Sequence, residues 1–395
     1  MMSYDLLAWL NLLLRWTHVL VGICWIGASF YFVWLDNHLV EPDPPEAGVR
    51  GELWAIHGGG FYQSRKFLLG PPKIPAHLHW FMWEAYSTWI SGFLLLVVIY
   101  YFGASVYLID KAKLALEPWQ AIALSLAFIF GGLAVYEGLC RSPLAKRPGL
   151  FGAVWFAVLT AAAWAQTRIF SDRAAFLQVG AMIGTVMVAN VKLVIIPNQR
   201  KSVAAILAGA APDPRWGAQG RLRSVQNNYM TLPVVFLMIS NHYPLVTGHP
   251  LNWLLVAMLA AAGVSVRHFF MRLHKGAIRH EFLFIGLMLF LGATFIATKE
   301  QPSLPQVGAA SFDEAQAIVQ THCIMCHSPT PSHKGFTAPP ANVVLDTPAH
   351  IQAFAPRIYQ MAVERRAMPL GNETGMTDLD RAKLGAWISG GAKMP

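Results

Sequence analysis

The stretch AAFLQVGAMIGTVMVANVKLVII, residues 174–196, contains one charged side chain, Lys192. It is long enough to cross a bilayer as a helix, because about 20 mostly apolar residues span the hydrocarbon core. Similar apolar stretches recur on both sides of it, and the weakest is interrupted by Asn241 and His242. The eight predicted spans are 10–35, 79–103, 119–139, 150–170, 174–196, 229–247, 251–270 and 282–298. The sequence therefore predicts an all-α fold, a polytopic membrane helix bundle in residues 1–298.

Charged residues are scarce and unevenly placed along the chain. Only 13% of the 395 residues are charged, against about 25% in average soluble domains. The net charge of +9 comes from basic residues spread singly over loops, so we expect a lipid bilayer and no nucleic acid as partner. Loops after odd-numbered spans hold most of the Lys and Arg, which predicts that these loops are cytoplasmic. With the first span retained, both termini are expected in the periplasm of a bacterial inner-membrane protein.

A second unit follows the bundle. Residues 299–312 are rich in Pro, Gly and Ala and predict a linker, and residues 313–395 have the composition of a soluble domain. Cys323-Ile-Met-Cys326-His327 is the attachment pattern of a c-type haem, in which the two thiols bind the haem covalently and the histidine ligates the iron. A zinc site is the alternative, but structural zinc needs four ligands and the other two cysteines lie in or beside predicted spans.

The second iron ligand must come from elsewhere in the unit, and Met/His ligation is usual in cytochromes c. Met368 is the predicted ligand because Pro369 stiffens its loop, and Met376 and Met361 are the alternatives. A last helix is predicted from Thr377, with an apolar face that includes Leu384 and Trp387. The order of helix, haem motif, methionine loop and apolar helix predicts a small class I cytochrome c domain.

Polar side chains inside predicted spans are costly and by default indicate function. With the predicted topology they fall at two depths. The cytoplasmic group is His77, Glu84, Glu137, Asn190, Asn198 and Asn228, and the outer group is Arg15, His18, Asn241 and His242. His77 and Glu84 are expected on one helical face, with His79 pointing away from it. His18 and His242 share a depth, so we expect them to be ligands of a second, b-type haem that shortens the electron path across the membrane.

Several motifs resemble the bacterial membrane-bound urate oxidase (urate hydroxylase) family. They are RWTHVLVGICWIG at 15–27, HWFMWEAYSTW at 79–89, PNQ at 197–199, NNYMTLPV at 227–234 and SNHYP at 240–244. The resemblance implies that urate and water give 5-hydroxyisourate, with two electrons passed to the fused haem c. A soluble cytochrome or a terminal oxidase of the respiratory chain would then receive the electrons.

This chemistry needs a general base and hydrogen-bonding groups for a planar purine anion. His77, His79 and Glu84 are the candidate bases, and Asn228 is a candidate for binding urate. A different class of function also fits the sequence, namely an electron-transfer or haem-handling membrane subunit without substrate chemistry of its own. A transporter that carries a regulatory cytochrome is a third interpretation, and the lack of an evident inverted repeat argues against it.

Overall fold

The computed structural model describes residues 4–299, 303–333 and 335–394, so residues 300–302 of the predicted linker lie outside the described residues. The fold is mostly helical, and its long helices form one bundle. The bundle contains α1 Tyr4–His38, α2 Trp83–Leu95, α3 Pro118–Arg141, α4 Pro148–Ile169, α5 Asp172–Ala189, α6 Ile196–Leu207, α7 Pro214–Ile239, the short α8 Pro244–Thr247, α9 Asn252–Leu273 and α10 Glu281–Lys299.

Among the described residues, seven helices are long and apolar enough to cross a membrane. They correspond to seven of the eight predicted spans and begin and end within a few residues of them, apart from the extended end at Leu207. The ranges are Leu6–His38, Trp83–Tyr101, Pro118–Arg141, Pro148–Ile169, Asp172–Leu207, Asn252–Leu273 and Glu281–Thr298. The sixth predicted span, 229–247, is not among them. Its residues form the end of α7, a 3-10 turn at Ser240–His242 and the short α8. Helix α7 packs against α5 and α9 and is more polar than the seven spans.

Two helices of the bundle change to π-helical geometry along their length. The end of α2 continues as a π-helix over Leu96–Tyr101, and a further π-helical turn covers Ala104–Leu108. Helix α5 passes into α6 through the π-helical residues Asn190–Ile195. π-helical turns are rare, and many of those that occur lie at functional sites. These segments are therefore candidates for positioning functional side chains.

A β-hairpin occupies the loop between α1 and α2, where an all-α fold was predicted. Strand β1, Val49–His57, pairs antiparallel with β2, Gly60–Phe67. The turn between them contains Gly58 and Gly59 at positive φ, a conformation that glycine adopts without steric cost. The prediction of a purely helical chain is therefore wrong for this loop.

The C-terminal segment, residues 303–394, builds a small core of its own. Its helices are α11 Phe312–His322, α12 Pro348–Ala353, α13 Ala355–Ile358, and α14 Asp378–Ser389, and Tyr359–Glu364 is π-helical. Capping boxes start both long helices, Ser311 with Glu314 and Thr377 with Asp380, and the second of them confirms the helix start predicted at Thr377. The fully buried Val319 and Leu384 hold α11 and α14 together.

The C-terminal segment lies against one end of the bundle. A Cβ added at Gly371 would be 2.6 Å from the carbonyl oxygen of Ile109, and one added at Gly248 would be 2.6 Å from that of Arg365. We call this contact between residues 104–110 and 244–250 of the bundle and the C-terminal segment the seam. It lies at the end of the bundle where the loops after the second and sixth predicted spans meet.

Candidate functional site

An apolar cavity of about 150 Å³ opens inside the C-terminal segment. The Cys-X-X-Cys-His motif, directly after α11, and the loop of Met368 both contribute to its lining. Apolar side chains complete the lining, among them Phe336, Val343, Leu345, Phe354, Ile358 and Leu370. The sequence places the motif, the predicted methionine and a ring of apolar residues around one space.

The imidazole of His327 is oriented by backbone contacts. Its Nδ1 lies 2.9 Å from the carbonyl oxygen of Val343. Because a carbonyl can only accept, Nδ1 carries the proton and the Nε2 lone pair is left for a metal. The backbone of His327 is also held, since its N–H donates to Cys323 and its carbonyl accepts from Leu345 at 2.7 Å.

The two thiols are partly sheltered from water. Burial raises the pKa of the Cys323 thiol to about 12, and burial also raises the pKa of Cys326. Both groups therefore stay protonated at neutral pH until they react.

Four methionines line the cavity, Met325 inside the Cys-X-X-Cys-His motif and the three candidate ligands Met361, Met368 and Met376, and the candidates differ in how they are held. The Met368 N–H donates to the carbonyl of Met361 at 3.1 Å, and the Met368 carbonyl accepts from Arg381 Nη1 at 2.7 Å. Met376 is only 3% exposed and belongs to the apolar core of the segment. The backbone of Met368 is thus fixed at the cavity edge, whereas the side chain of Met376 is buried in the core.

Arg381 was missed by the sequence analysis. Its guanidinium is buried and also donates to the carbonyl of Ala362 and to Asn372 Oδ1. A signal existed, because Arg381, Leu384 and Trp387 recur three residues apart and so share the buried face of α14. Through these hydrogen bonds Arg381 holds the loop that contains Met368 in position.

These residues fit a covalently bound haem. The cavity offers two thiols, a histidine nitrogen fixed in the ligating tautomer, a restrained thioether and apolar walls. The alternative zinc site is not supported, since no group of three or more His, Cys, Asp or Glu side chains in the described residues is arranged to hold a metal ion.

A buried polar cluster lies in the bundle, around Arg223 of α7. The guanidinium contacts both carboxylate oxygens of Glu137 at 3.0 Å and donates to Asn190 Oδ1 at 2.9 Å. The Asn190 amide in turn donates to the Tyr136 hydroxyl and to Asn227 Oδ1. We call these five residues the Arg223 cluster. Glu137 and Asn190 were predicted at one depth, and Arg223 joins them.

The start of α2 differs from the prediction. The helix begins at Trp83, so His77 and His79 precede it and do not share a helical face with Glu84. The placement of His77 is therefore wrong, and its side chain is exposed. His79, expected to point away, instead has Nε2 3.7 Å from Glu84 Oε1 while its side chain is 70% exposed. Proline and histidine at 75–79 favour an extended entry over the helix that the apolar pattern suggested.

Oε2 of Glu84 and Oδ1 of Asn228 are among the buried side-chain atoms that have no hydrogen-bond partner within the described residues. Asn228 Nδ2 donates to the carbonyl of Ser29 at 3.3 Å. On α1, Ser29 lies just before Phe32, whose ring packs on Phe81, so Asn228 and Glu84 lie at one level of the bundle. Unsatisfied buried acceptors indicate a missing donor.

The predicted haem ligands His18 and His242 lie at different depths. His18 Nδ1 contacts the carbonyl of Thr88 at 3.0 Å and Ser91 Oγ at 3.1 Å, whereas Asn241, next to His242, donates to the Tyr100 hydroxyl. Nine residues separate Ser91 from Tyr100, roughly 13 Å along a helix. The shared depth on which the second haem rested is not observed, and His242 is exposed.

Comparison with known proteins bears on the bundle. Searches of curated proteins and of solved structures find no match. The sequence profile described as "Urate oxidase N-terminal" matches residues 4–298, which include every helix of the bundle and the His79, Glu84 and Asn228 positions. Because this match covers more than half of the chain, the protein belongs to the Urate oxidase N-terminal family.

Proposed function

We propose that this protein is a membrane-bound oxidoreductase that oxidises urate to 5-hydroxyisourate and passes the electrons to a haem c in its own C-terminal segment. The reaction balances as urate plus water giving 5-hydroxyisourate, two protons and two electrons. The observation that carries the proposal is that one chain contains both the family's bundle and a cavity lined by Cys323, Cys326, His327 and Met368.

The residues of the cavity have separate roles in this proposal. Cys323 and Cys326 would hold the haem through thioether bonds, and His327 and Met368 would ligate its iron. When bound, the haem supplies a one-electron acceptor whose potential is raised by methionine ligation. Val343 keeps His327 in the ligating tautomer, and Arg381 keeps the Met368 loop in place.

In the bundle, Glu84 is the proposed general base. Its Oε2 is buried without a partner, so it can accept a proton from an N–H of urate or from the attacking water. His79 lies 3.7 Å from the other carboxylate oxygen and is largely exposed, so it can pass that proton to solvent. Asn228 Oδ1, also without a donor, can accept a hydrogen bond from the purine ring. His77 is exposed outside the helix and has no role in this assignment.

The protein is proposed to lie in the bacterial inner membrane with both termini and the C-terminal segment in the periplasm. The apolar helices support membrane insertion, and the basic loops support the orientation. A soluble cytochrome or a terminal oxidase is the proposed electron acceptor. Alkaline phosphatase fused after residue 394 should be active, and an inactive fusion would reverse the orientation.

The alternative is an electron-transfer or haem-handling subunit without its own substrate. The Arg223 cluster is compatible with it, since its polar groups bind one another and leave little for a ligand. The unsatisfied oxygens of Glu84 and Asn228 favour the enzyme.

The test is anaerobic addition of urate to purified protein in detergent while the haem α-band is followed. We expect reduction by urate and none by xanthine or allantoin. No reduction in protein shown to be fully haem-loaded would refute the urate-oxidising function and leave the electron-transfer subunit.

A further inference from the structure

The cavity of the C-terminal segment is not closed by that segment alone. Val106, from the π-helical turn Ala104–Leu108 of the bundle, contributes to its lining beside the haem motif and the methionine loop. At the same place the backbone of Gly371 approaches Ile109 so closely that a Cβ would be 2.6 Å from its carbonyl oxygen. The seam therefore places the bundle directly against the cavity.

The bundle side of the seam is densely packed. Val106 is 6% exposed, and its neighbours Ala104, Leu108 and Ile109 are buried as well. Behind this turn the rings of Tyr100 and Tyr107 lie 6.2 Å apart, and Tyr100 is held by a 3.2 Å hydrogen bond from Asn241. Tyr100, Ala104, Leu108 and Ile109 belong to one apolar cluster, and Tyr107 packs against it.

Aromatic rings continue from this turn toward the other end of α2. Trp89 and Phe93 stack with centroids 5.2 Å apart, and Phe93 packs against the same apolar cluster as Tyr100 and Tyr107. Trp89 lies on α2 little more than one turn from Glu84. We call Trp89, Phe93, Tyr100 and Tyr107 the aromatic series. It consists of two ring pairs, Trp89–Phe93 and Tyr100–Tyr107, between the level of Glu84 and the seam, and the apolar cluster that contains Tyr100 and contacts Phe93 lies between the pairs.

We propose that the seam is the electron entrance of the C-terminal segment and that the aromatic series, ending at Tyr107 and Val106, is the packed path by which electrons reach it. This inference rests on the proposed function. Each urate oxidised would release two electrons, which would cross the seam one at a time to a one-electron acceptor held by Cys323, Cys326, His327 and Met368. The tyrosines serve as the packed medium between donor and acceptor, so no proton leaves them.

The π-helical geometry has a role in this arrangement. A π-helical turn widens the helix and shifts the side chains that follow, and here two such segments flank the break at Phe102 and Gly103. The chain can thereby place Tyr107 against Tyr100 and still present Val106 to the cavity. An uninterrupted α-helix would carry these side chains away from the seam.

The first test introduces a larger side chain into the seam. Gly248→Val adds atoms 2.6 Å from the Arg365 carbonyl without touching the cavity lining. We expect an unchanged haem content and spectrum, an unchanged or faster reduction by ascorbate, and a haem reduction by urate slowed by about 100-fold, the scale on which a small misplacement of reacting groups acts. Gly131→Val is the matched control, because a Cβ there meets nothing within 4 Å.

A second readout does not depend on the haem. In protein prepared without haem, Gly248→Val should increase backbone hydrogen exchange at residues 104–110, whereas Gly131→Val should leave it unchanged. Unchanged exchange in Gly248→Val would show that the seam does not exist in solution.

The third test addresses the path itself. Tyr107→Leu keeps an apolar side chain at the seam and removes the ring, and we expect a smaller loss of the same rate with the haem potential unchanged. Tyr101→Leu is the control, since Tyr101 bonds Ser125 away from the series. Urate that reduces the wild type and both Gly248→Val and Tyr107→Leu at equal rates would overturn this inference alone, whereas a wild type that urate does not reduce overturns the proposed function.

Discussion

The cavity of the C-terminal segment and the Arg223 cluster of the bundle differ in whether their polar groups have partners within the protein. In the cluster, Arg223 contacts both carboxylate oxygens of Glu137 and donates to Asn190, so the two charges compensate each other between packed helices. In the cavity, the lone pair of His327 Nε2 and two thiols face an apolar space. We infer that a sheltered polar group without a partner is a better indication of a ligand site than a buried polar group in general.

The largest expected effect is on the cavity. Replacing both Cys323 and Cys326 with Ser should abolish covalent haem, because no thioether can form, and haem staining after denaturing electrophoresis measures this. Cys140→Ser, in the bundle, should stain like the wild type. Staining that persists in the double variant would mean that the cavity does not hold a haem c.

Substituting Glu84 tests whether a carboxylate without a hydrogen-bond partner in the bundle also takes part in function. Glu84→Gln removes the base and should lower the rate of urate oxidation by about 10²–10⁴-fold, the usual contribution of a general base. Haem content and spectrum should not change.

The control is Glu281→Gln, an exposed carboxylate paired only with Arg279 at the start of α10. If Glu84→Gln oxidises urate as fast as Glu281→Gln, the unsatisfied oxygen of Glu84 has a structural role and the comparison fails in the bundle.

The Arg223 cluster should respond in stability and not in chemistry. Arg223→Met removes the closest cation of the half-buried Glu137 and one hydrogen bond of Asn190, and should lower the free energy of unfolding by about 3 kcal/mol, the low end for a buried ion pair. The double variant with Glu137→Leu should regain most of this loss, because both charges are then gone. Thermal unfolding in detergent measures the effect.

Arg221→Met, two residues away and exposed, is the matched control for Arg223→Met. Equal melting temperatures for the two single variants would show that the Arg223 cluster does not hold the helices together.

Met368 provides a finer test of the cavity. Met368→Ala should keep the covalent haem but lower its midpoint potential, since methionine ligation raises it. Met361→Ala, from the same cavity lining, should leave the potential near that of the wild type. A redox titration in which Met361→Ala shows the larger shift would reassign the ligand.

The same comparison explains what could be predicted from the sequence. The cavity was predictable because its motif is local, with Cys323, Cys326 and His327 within five residues and capping boxes that mark the flanking helices. Seven spans were predictable for a similar reason, since a run of apolar residues needs no partner to be recognised.

The bundle sites were less predictable because they depend on contacts between distant segments. Arg223 meets Glu137 across 86 positions, and His18 is held by Thr88 across 70, so neither pairing can be found from spacing. The helix start at Trp83 was missed because the apolar pattern continues upstream of it. The β1–β2 hairpin was missed because the prediction for its loop rested on the charged residues alone.

The smallest expected effect concerns Asp110, which lies at the seam. Burial raises the pKa of its carboxyl group, although Lys113 and a backbone hydrogen bond act in the opposite direction. Because the folded state therefore binds this proton more tightly, the contribution of Asp110 to stability is complete below the usual Asp pKa and is lost as the pH rises through the raised value. Asp110→Asn should remove that part of the pH dependence and melt no lower than the wild type at neutral pH. The melting temperatures of the wild type and of Asp110→Asn, measured from the ordinary Asp pKa up to neutral pH, should converge as the pH falls. A constant difference between them would mean that Asp110 is not buried by the seam.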